Sequence, residues 1–227
     1  MIFTLLKKII KKIVGRQFYS YLLNTKFGTK LHDRLHNNSS SSRDFLLQIL
    51  PKFSIGIEIG VNEGNFSERI LEIVQPKKLY LVDPWKFEAG ESYTAGEIIK
   101  DQKTLDVRFQ NVSKKFTNEI KNGQIVIKRN ISEEILFKFD DNYFDWIYID
   151  GNHFYEFVKK DLELCYPKLK DDGFITGDDY ADDDEWSKNG VKNAVDEFIN
   201  SNKVEVIELK HHQFILKKKT NFNKSNL

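Results

Sequence analysis

The chain has 227 residues, 40% hydrophobic and 30% charged, with a formal net charge of +1. That is a soluble globular composition, long enough for one domain with its own core plus an extension, and the near-neutral balance gives no global preference for nucleic acid. The single cysteine, Cys165, excludes an internal disulfide framework or a C-x-x-C metal site and fits a reducing compartment.

Residues 1–16 carry five basic residues and no acid; Leu5, Leu6, Ile9, Ile10, Ile13 and Val14 share one helical face, and Lys7, Lys8, Lys11 and Lys12 the other. No apolar run there reaches membrane-spanning length. Interrupting lysines and the lack of a small-residue cleavage site argue against a signal peptide. Two readings stay open: a helix lying on an anionic membrane face, or one packed on the domain or on a second subunit. Residues 17–43 run into the Ser/Asn cluster NNSSSS, a linker. The expected organisation is an arm of 1–43, a main domain of 44–219 and a disordered tail of 220–227. His32 and His36 stand at helical spacing, but no third ligand is near, so no zinc site is expected. A helix over 43–50 precedes Pro51.

The stretch IGIEIGVNEG, Ile55 to Gly64, joins a short apolar strand to a helix, since Phe66, Ile70, Ile73 and Val74 fall on one face. Glu58, Gly60 and Gly64 punctuate it. Glycines let a backbone approach a ligand closely, and the helix start offers N–H groups. The spacing is E-x-G-x-x-x-G, not the G-x-G-x-x-G of a dinucleotide site. It resembles the first motif of class I S-adenosylmethionine-dependent methyltransferases. A second strand, Leu79–Val82, ends in Asp83, where an acid in a nucleotide-binding α/β unit accepts from ribose hydroxyls; Asp-Pro is also a good turn. Trp85 either covers an adenine or packs.

Residues 86–123 are long for an α/β connection and read as a substrate-site insertion with helices over Ala95–Val107 and Val112–Lys121. The strand QIVIKRN and the segment ISEEILFKF follow. Phe144–Asp150 is an apolar strand ending in a carboxylate. After GNH, the residues Phe154, Val158, Leu162, Cys165 and Leu169 keep helical spacing as far as a turn, KDDG, which makes Cys165 a core residue. The strand FITG then ends in Asp178 and Asp179. Three carboxylates thus stand at the ends of two successive strands, suited to a hard cation such as Mg2+ if those strands are neighbours. Asp182 to Glu185 read as a solvated loop. A helix with Val191, Ala194, Val195, Phe198 and Ile199 on one face comes next, then an antiparallel hairpin of VEVIEL and QFILKK.

The segments YIDGNHFYEFVKKDL, YPKLKDDGFITGDDY and GVKNAVDEF resemble the macrocin O-methyltransferase-like proteins and the broader methyltransferase family 24 over roughly residues 50–216. The resemblance implies a Rossmann-like α/β sandwich with a mostly parallel seven-stranded sheet. It also implies an S-adenosyl-L-methionine cofactor bound by Glu58, Gly60, Gly64, Asp83, Ser132 and Asp150. In metal-dependent relatives, positions matching Asp150, Asp178 and Asp179 hold Mg2+. Many relatives place an acid where this chain has Asn152, so His153 becomes the expected base, with Asp150 beside it. The implied reaction is O-methylation of a sugar or other small hydroxyl acceptor, glycan or lipid-linked, and not of nucleic acid. The implied setting is the cytoplasm, with peripheral contact at the inner membrane face through residues 1–16 or a homo-oligomer. A non-catalytic membrane-associated scaffold with this fold and a methyltransferase acting on a macromolecule are the alternatives.

Overall fold

Short β-branched runs alternate with amphipathic helices along the chain. In the computed structural model, which describes residues 43–87, 101–182 and 187–219, those runs assemble into one sheet. The chain divides into two units, Met1–Arg43 and Asp44–Leu227. The basic segment 1–16, the Ser/Asn run, the start of the helix expected from Ala95, most of the acidic loop and the tail from 220 lie outside the described residues. Among the described residues, no helix is long and apolar enough to cross a membrane.

After a helical segment at 43–49 the order is β1 (Ile55–Ile59), α1 (Asn65–Ile73), β2 (Lys78–Val82), α2 (Gln102–Lys115), α3 (Thr117–Lys121), β3 (Ile125–Lys128) and α4 (Ser132–Leu136). There follow β4 (Phe144–Ile149), α5 (Tyr155–Lys168), β5 (Leu169–Gly177), α6 (Gly190–Asn200), β6 (Val204–Lys210) and β7 (Gln213–Lys218). The sheet order is β3-β2-β1-β4-β5-β7-β6. The first five strands run parallel; β7 is antiparallel to β5, and β6 to β7. Strand order reverses between β1 and β4, the place where ligands settle in open α/β sheets.

Period-two alternation divides the sheet's side chains between two cores. On one face Ile57, Val82, Ile147 and Ile175 pack with Val158, Leu162 and Cys165 of α5 and with Val191, Ala194 and Val195 of α6. On the other, Leu79, Leu81, Trp146 and Tyr148 pack with Ile70 of α1, Leu46 and Leu47 of the 43–49 helix, Val112 of α2 and Phe116 at its C-terminal cap. Each such fully buried aliphatic side chain stabilises the fold by roughly 1.5–3 kcal/mol. Cys165 is fully buried, and burial pushes its thiol well above the ordinary range.

Three local expectations are corrected. The helices expected over Ala95–Val107 and Val112–Lys121 are instead one helix, α2, that runs through Val107–Val112, followed by the short α3. Asp101 caps α2 by accepting from Thr104 N at 2.9 Å. Leu105, Phe109, Val112 and Phe116 then give a continuous apolar stripe. The turn expected at KDDG is absorbed into β5, which starts at Leu169. Register jumps from Phe144↔Leu169 to Trp146↔Phe174, and Asp172 takes a positive φ of 63°. That is a bulge within a strand. The hairpin link reduces to His211 and His212, both left-handed at φ 53° and 63°, as a two-residue turn between twisted antiparallel strands demands.

Candidate active site

Backbone hydrogen bonds hold the carboxyl ends of the parallel strands level. Gly60 N donates to Val82 O (2.9 Å), Asp150 N to Ile59 O (2.8 Å), Asp178 N to Ile149 O (3.2 Å) and Asp83 N to Lys128 O (3.3 Å). Asp83, Gly60, Asp150 and Asp178 therefore stand directly past the ends of β2, β1, β4 and β5 along one edge.

The glycine loop is built at the centre of that edge. Gly60 has φ +89°, and a Cβ there would stand 1.9 Å from the Asp150 carbonyl oxygen. Only glycine lets the loop leave β1 this close to the end of β4. Gly64, also left-handed, caps α1, and its N–H donates to Val61 O at 2.8 Å. Glu58 lies one residue before the strand end. It is buried beneath α1 and accepts from Ser67 Oγ at 2.5 Å.

Asp83 reaches across to this loop. Its Oδ2 accepts from Val61 N (3.0 Å) and Asn62 N (2.9 Å), and its Oδ1 from Trp85 N (2.7 Å). Burial raises its pKa, against the lowering by these backbone donors and by Arg108. The carboxylate thus shapes the glycine loop, and Oδ1 keeps acceptor capacity beyond its one backbone bond. Trp85 packs: it is buried, its indole N–H donates to Asn62 O (2.9 Å), and it leans on Phe109. Ser132 opens α4 and donates to Asp161 Oδ1 of α5. Sequence reasoning passed over Asp161, a buried carboxyl whose pKa burial pushes up to about 6. An acid among Val158, Leu162 and Cys165, on the buried face of an amphipathic helix, was the available signal.

Past β4 and β5 the chemistry-bearing side chains separate into two sets. Asp150, His153 and Asp179 bring one donor atom each within 4.8 Å of one another, and His153 Nε2 lies 3.1 Å from Asp179 Oδ2. Asp178 lines the same depression of about 210 Å³, partly open to solvent, but stands outside this trio. Its Oδ1 accepts from Asp179 N (2.8 Å) and from Gln213 Nε2 of β7. Asp179 itself is left-handed, at φ 61°. The following residue is tied to the hairpin through Tyr180 N to His212 O (2.8 Å).

The loop carrying His153 is clamped from two sides. Asn152 accepts from Phe154 N at 2.8 Å through Oδ1 and so turns the chain into α5. Gly190, the first residue of α6, packs so closely that a Cβ would meet His153 O at 2.3 Å and Tyr155 N at 2.6 Å. The G-V-K-x-A-V segment thus acts on the site through backbone contact.

Comparison with known proteins fits this geometry. Residues 57–180, more than half of the chain, match the family model Methyltransf_24, described as a methyltransferase domain. An uncharacterized protein of Acanthamoeba polyphaga mimivirus is 26% identical over 174 residues, 75% of this chain and 70% of the relative. A protein of Corynebacterium glutamicum superposes with a TM-score of 0.59 at 12% identity, covering 98% of this chain and 100% of that one. A candidate methyltransferase of Streptococcus mutans, solved with SAH, gives 0.53 at 14% identity over 78% and 95% of the two chains. The precorrin-6y C5,15-methyltransferase of Geobacter metallireducens gives 0.51 at 12% identity over 78% and 86%. With a family match across both the glycine loop and the strand-end carboxylates, on a sheet of the class I methyltransferase kind, the chain belongs to methyltransferase family 24.

Proposed function

We propose that the protein transfers a methyl group from S-adenosylmethionine to a hydroxyl of a small acceptor, such as a sugar. The observation that carries this reading is the convergence of Asp150, His153 and Asp179 at the ends of β4 and β5, beside the glycine loop. A sulfonium methyl is already activated, so the remaining work is to align the acceptor and remove its proton. An alcohol is a poor nucleophile at neutral pH, whereas an amine needs no comparable assistance. A cluster of two carboxylates and an imidazole therefore suits a hydroxyl. Its members can take a proton at the His153–Asp179 pair, and their nitrogen and oxygen donors also fit a divalent cation. A cation bound there would supply Lewis acidity that lowers the pKa of a coordinated hydroxyl.

The cofactor would lie across the β1–β4 crevice, over Gly60 and Gly64. Its ribose would approach the remaining capacity of Asp83 Oδ1, with Asp150 and Ser132 beyond, and Glu58 would support the loop from beneath. The SAH complex of the Streptococcus mutans neighbour supports the choice of cofactor. The test is calorimetric titration of the full chain with SAH, followed by transfer of labelled methyl from S-adenosylmethionine to a panel of sugars and other small alcohols. Micromolar SAH binding with label on a hydroxyl is the expected result. Failure to bind SAH would leave the non-catalytic scaffold as the better reading, and label on amines alone would refute the hydroxyl assignment.

A further inference from the structure

We infer that the Asp161 carboxylate reads the base of the cofactor: its Oδ2 accepts from the amino group at C6 of adenine, which makes the site selective for an adenine nucleoside. This inference deepens the proposed methyltransferase reading and rests on it for the presence of a nucleoside.

Asp161 stands on α5 among Val158, Leu162 and Cys165 and is only 7% exposed. A charge so placed loses hydration that partners must replace. Its one hydrogen bond among the described residues comes from Ser132 Oγ, at the first position of α4, and goes to Oδ1. The neighbouring Lys160 pairs instead with Glu133 (Nζ to Oε2, 2.6 Å). A carboxylate offers about four acceptor positions over its two oxygens, so Oδ2 keeps capacity for a donor.

That oxygen borders a gap at the strand ends. A Cβ added at Gly151, just past β4, would meet Ile59 Cγ2 at 3.7 Å and Asp161 Oδ2 at 4.0 Å, and no other described atom within 4 Å. Space beside Gly151 is therefore open to an incoming group, with Oδ2 on its wall. The gap lies where the base would go. In the proposed pose the ribose sits at Asp83 and the amino-acid tail over the start of α1, which packs on one face of the sheet. The base is left the side of α4 and α5, whose Ile135, Leu136, Val158 and Leu162 pack on the other face. Ser132, Gly151 and Asp161 meet between them.

Donor and acceptor match. Adenine presents an amino donor at C6, and an ionised carboxylate only accepts. With a pKa raised by burial to about 6, Asp161 is ionised at pH 7.5. A link between α4 and α5 alone would need no more than a neutral acceptor, which avoids the cost of a buried charge.

The test is calorimetric titration of the full chain at pH 7.5 with SAH and, separately, with S-inosylhomocysteine, in which an acceptor oxygen replaces the amino group at C6. The unmodified protein should prefer SAH by about 30-fold or more, because the analogue sets oxygen against a buried carboxylate. Asp161→Asn keeps an oxygen for Ser132 and turns an amide NH2 toward the base. It should lose SAH affinity about tenfold and bring the two ligands within about threefold, or reverse their order. A role confined to positioning α4 would weaken both ligands alike and leave the preference intact. Gly151→Ala meets no clash and places a methyl group in the gap, so the preference should shrink at an unchanged urea midpoint; this variant decides the matter if Asp161→Asn fails to fold. The assignment is overturned if the unmodified protein binds both ligands equally, or if the preference survives in the folded variants. Equal binding of the two ligands removes the role of Asp161 alone, whereas binding of neither refutes the methyltransferase reading and this inference with it.

Discussion

Replacing Gly190 by alanine tests the link between the second half of the chain and the site. The added Cβ would stand 2.3 Å from His153 O and 2.6 Å from Tyr155 N, while comfortable contact needs about 3.5 Å. Both obstacles are backbone atoms, so no side chain can swing away. Either α6 or the loop 152–155 must retreat by about 1 Å. Overpacking of this kind costs about 1–3 kcal/mol, which at a urea m-value of ~2 kcal/mol/M lowers the unfolding midpoint by roughly 0.5–1.5 M. The greater effect should fall on the site, since a 1 Å misplacement of a reacting group can cost about 100-fold in rate. Tryptophan fluorescence in urea reads the first effect; methyl transfer reads the second. Gly123→Ala is the control: its Cβ would meet nothing within 4 Å, and only its positive φ of 79° is at stake, worth roughly 1–2 kcal/mol. If Gly190→Ala leaves stability and transfer at the level of the unmodified protein, the clamp on His153 is not real.

Other expectations follow from single groups. Asp83→Asn sets an amide NH2 among three backbone donors and should cost about 2–4 kcal/mol together with SAH affinity; an unchanged urea midpoint would contradict its role in shaping the loop. Asp161 holds its proton more tightly in the folded state, at about 6 against an ordinary 3.8. The folded protein therefore binds more protons between those values, and stability falls as pH rises from about 4 to about 6.5, by at most about 3 kcal/mol. Asp161→Asn should flatten that slope in urea midpoints measured at pH 5 and 7.5, and an identical slope would exclude Asp161 as its source. His212→Gly relieves a left-handed residue at the hairpin and should raise stability by about 1 kcal/mol without changing SAH affinity; a lower midpoint would show that the His212 side chain contributes more than its backbone conformation costs.

Period and punctuation decided the architecture before any contact was known. Ile55–Ile59, Leu79–Val82 and Phe144–Ile149 are apolar runs of strand length, each closed by an acid or glycine, and the helical spacing of Val158, Leu162 and Cys165 places a helix behind them. Such signals are local: burial of one face imposes them on every few residues, so they can be read without knowing the partner. The level edge that gathers Asp83, Gly60, Asp150 and Asp178 also follows once the strands are taken as parallel neighbours. What the local pattern could not reveal was which partner each of those acids meets. Asp178 and Asp179 are adjacent and chemically identical, yet one is held by Gln213, 35 residues later, and the other meets His153. The α2 boundary and the β5 bulge escaped for a related reason: a capping bond at Asp101 and a register shift opposite Trp146 are settled by packing that no short window contains. The sequence alone thus determined the order of the elements and the residues available for chemistry. Only the tertiary structure decided their partners, because a left-handed turn at Asp179 and the approach of Gly190 to His153 depend on strands and helices that meet across the sheet.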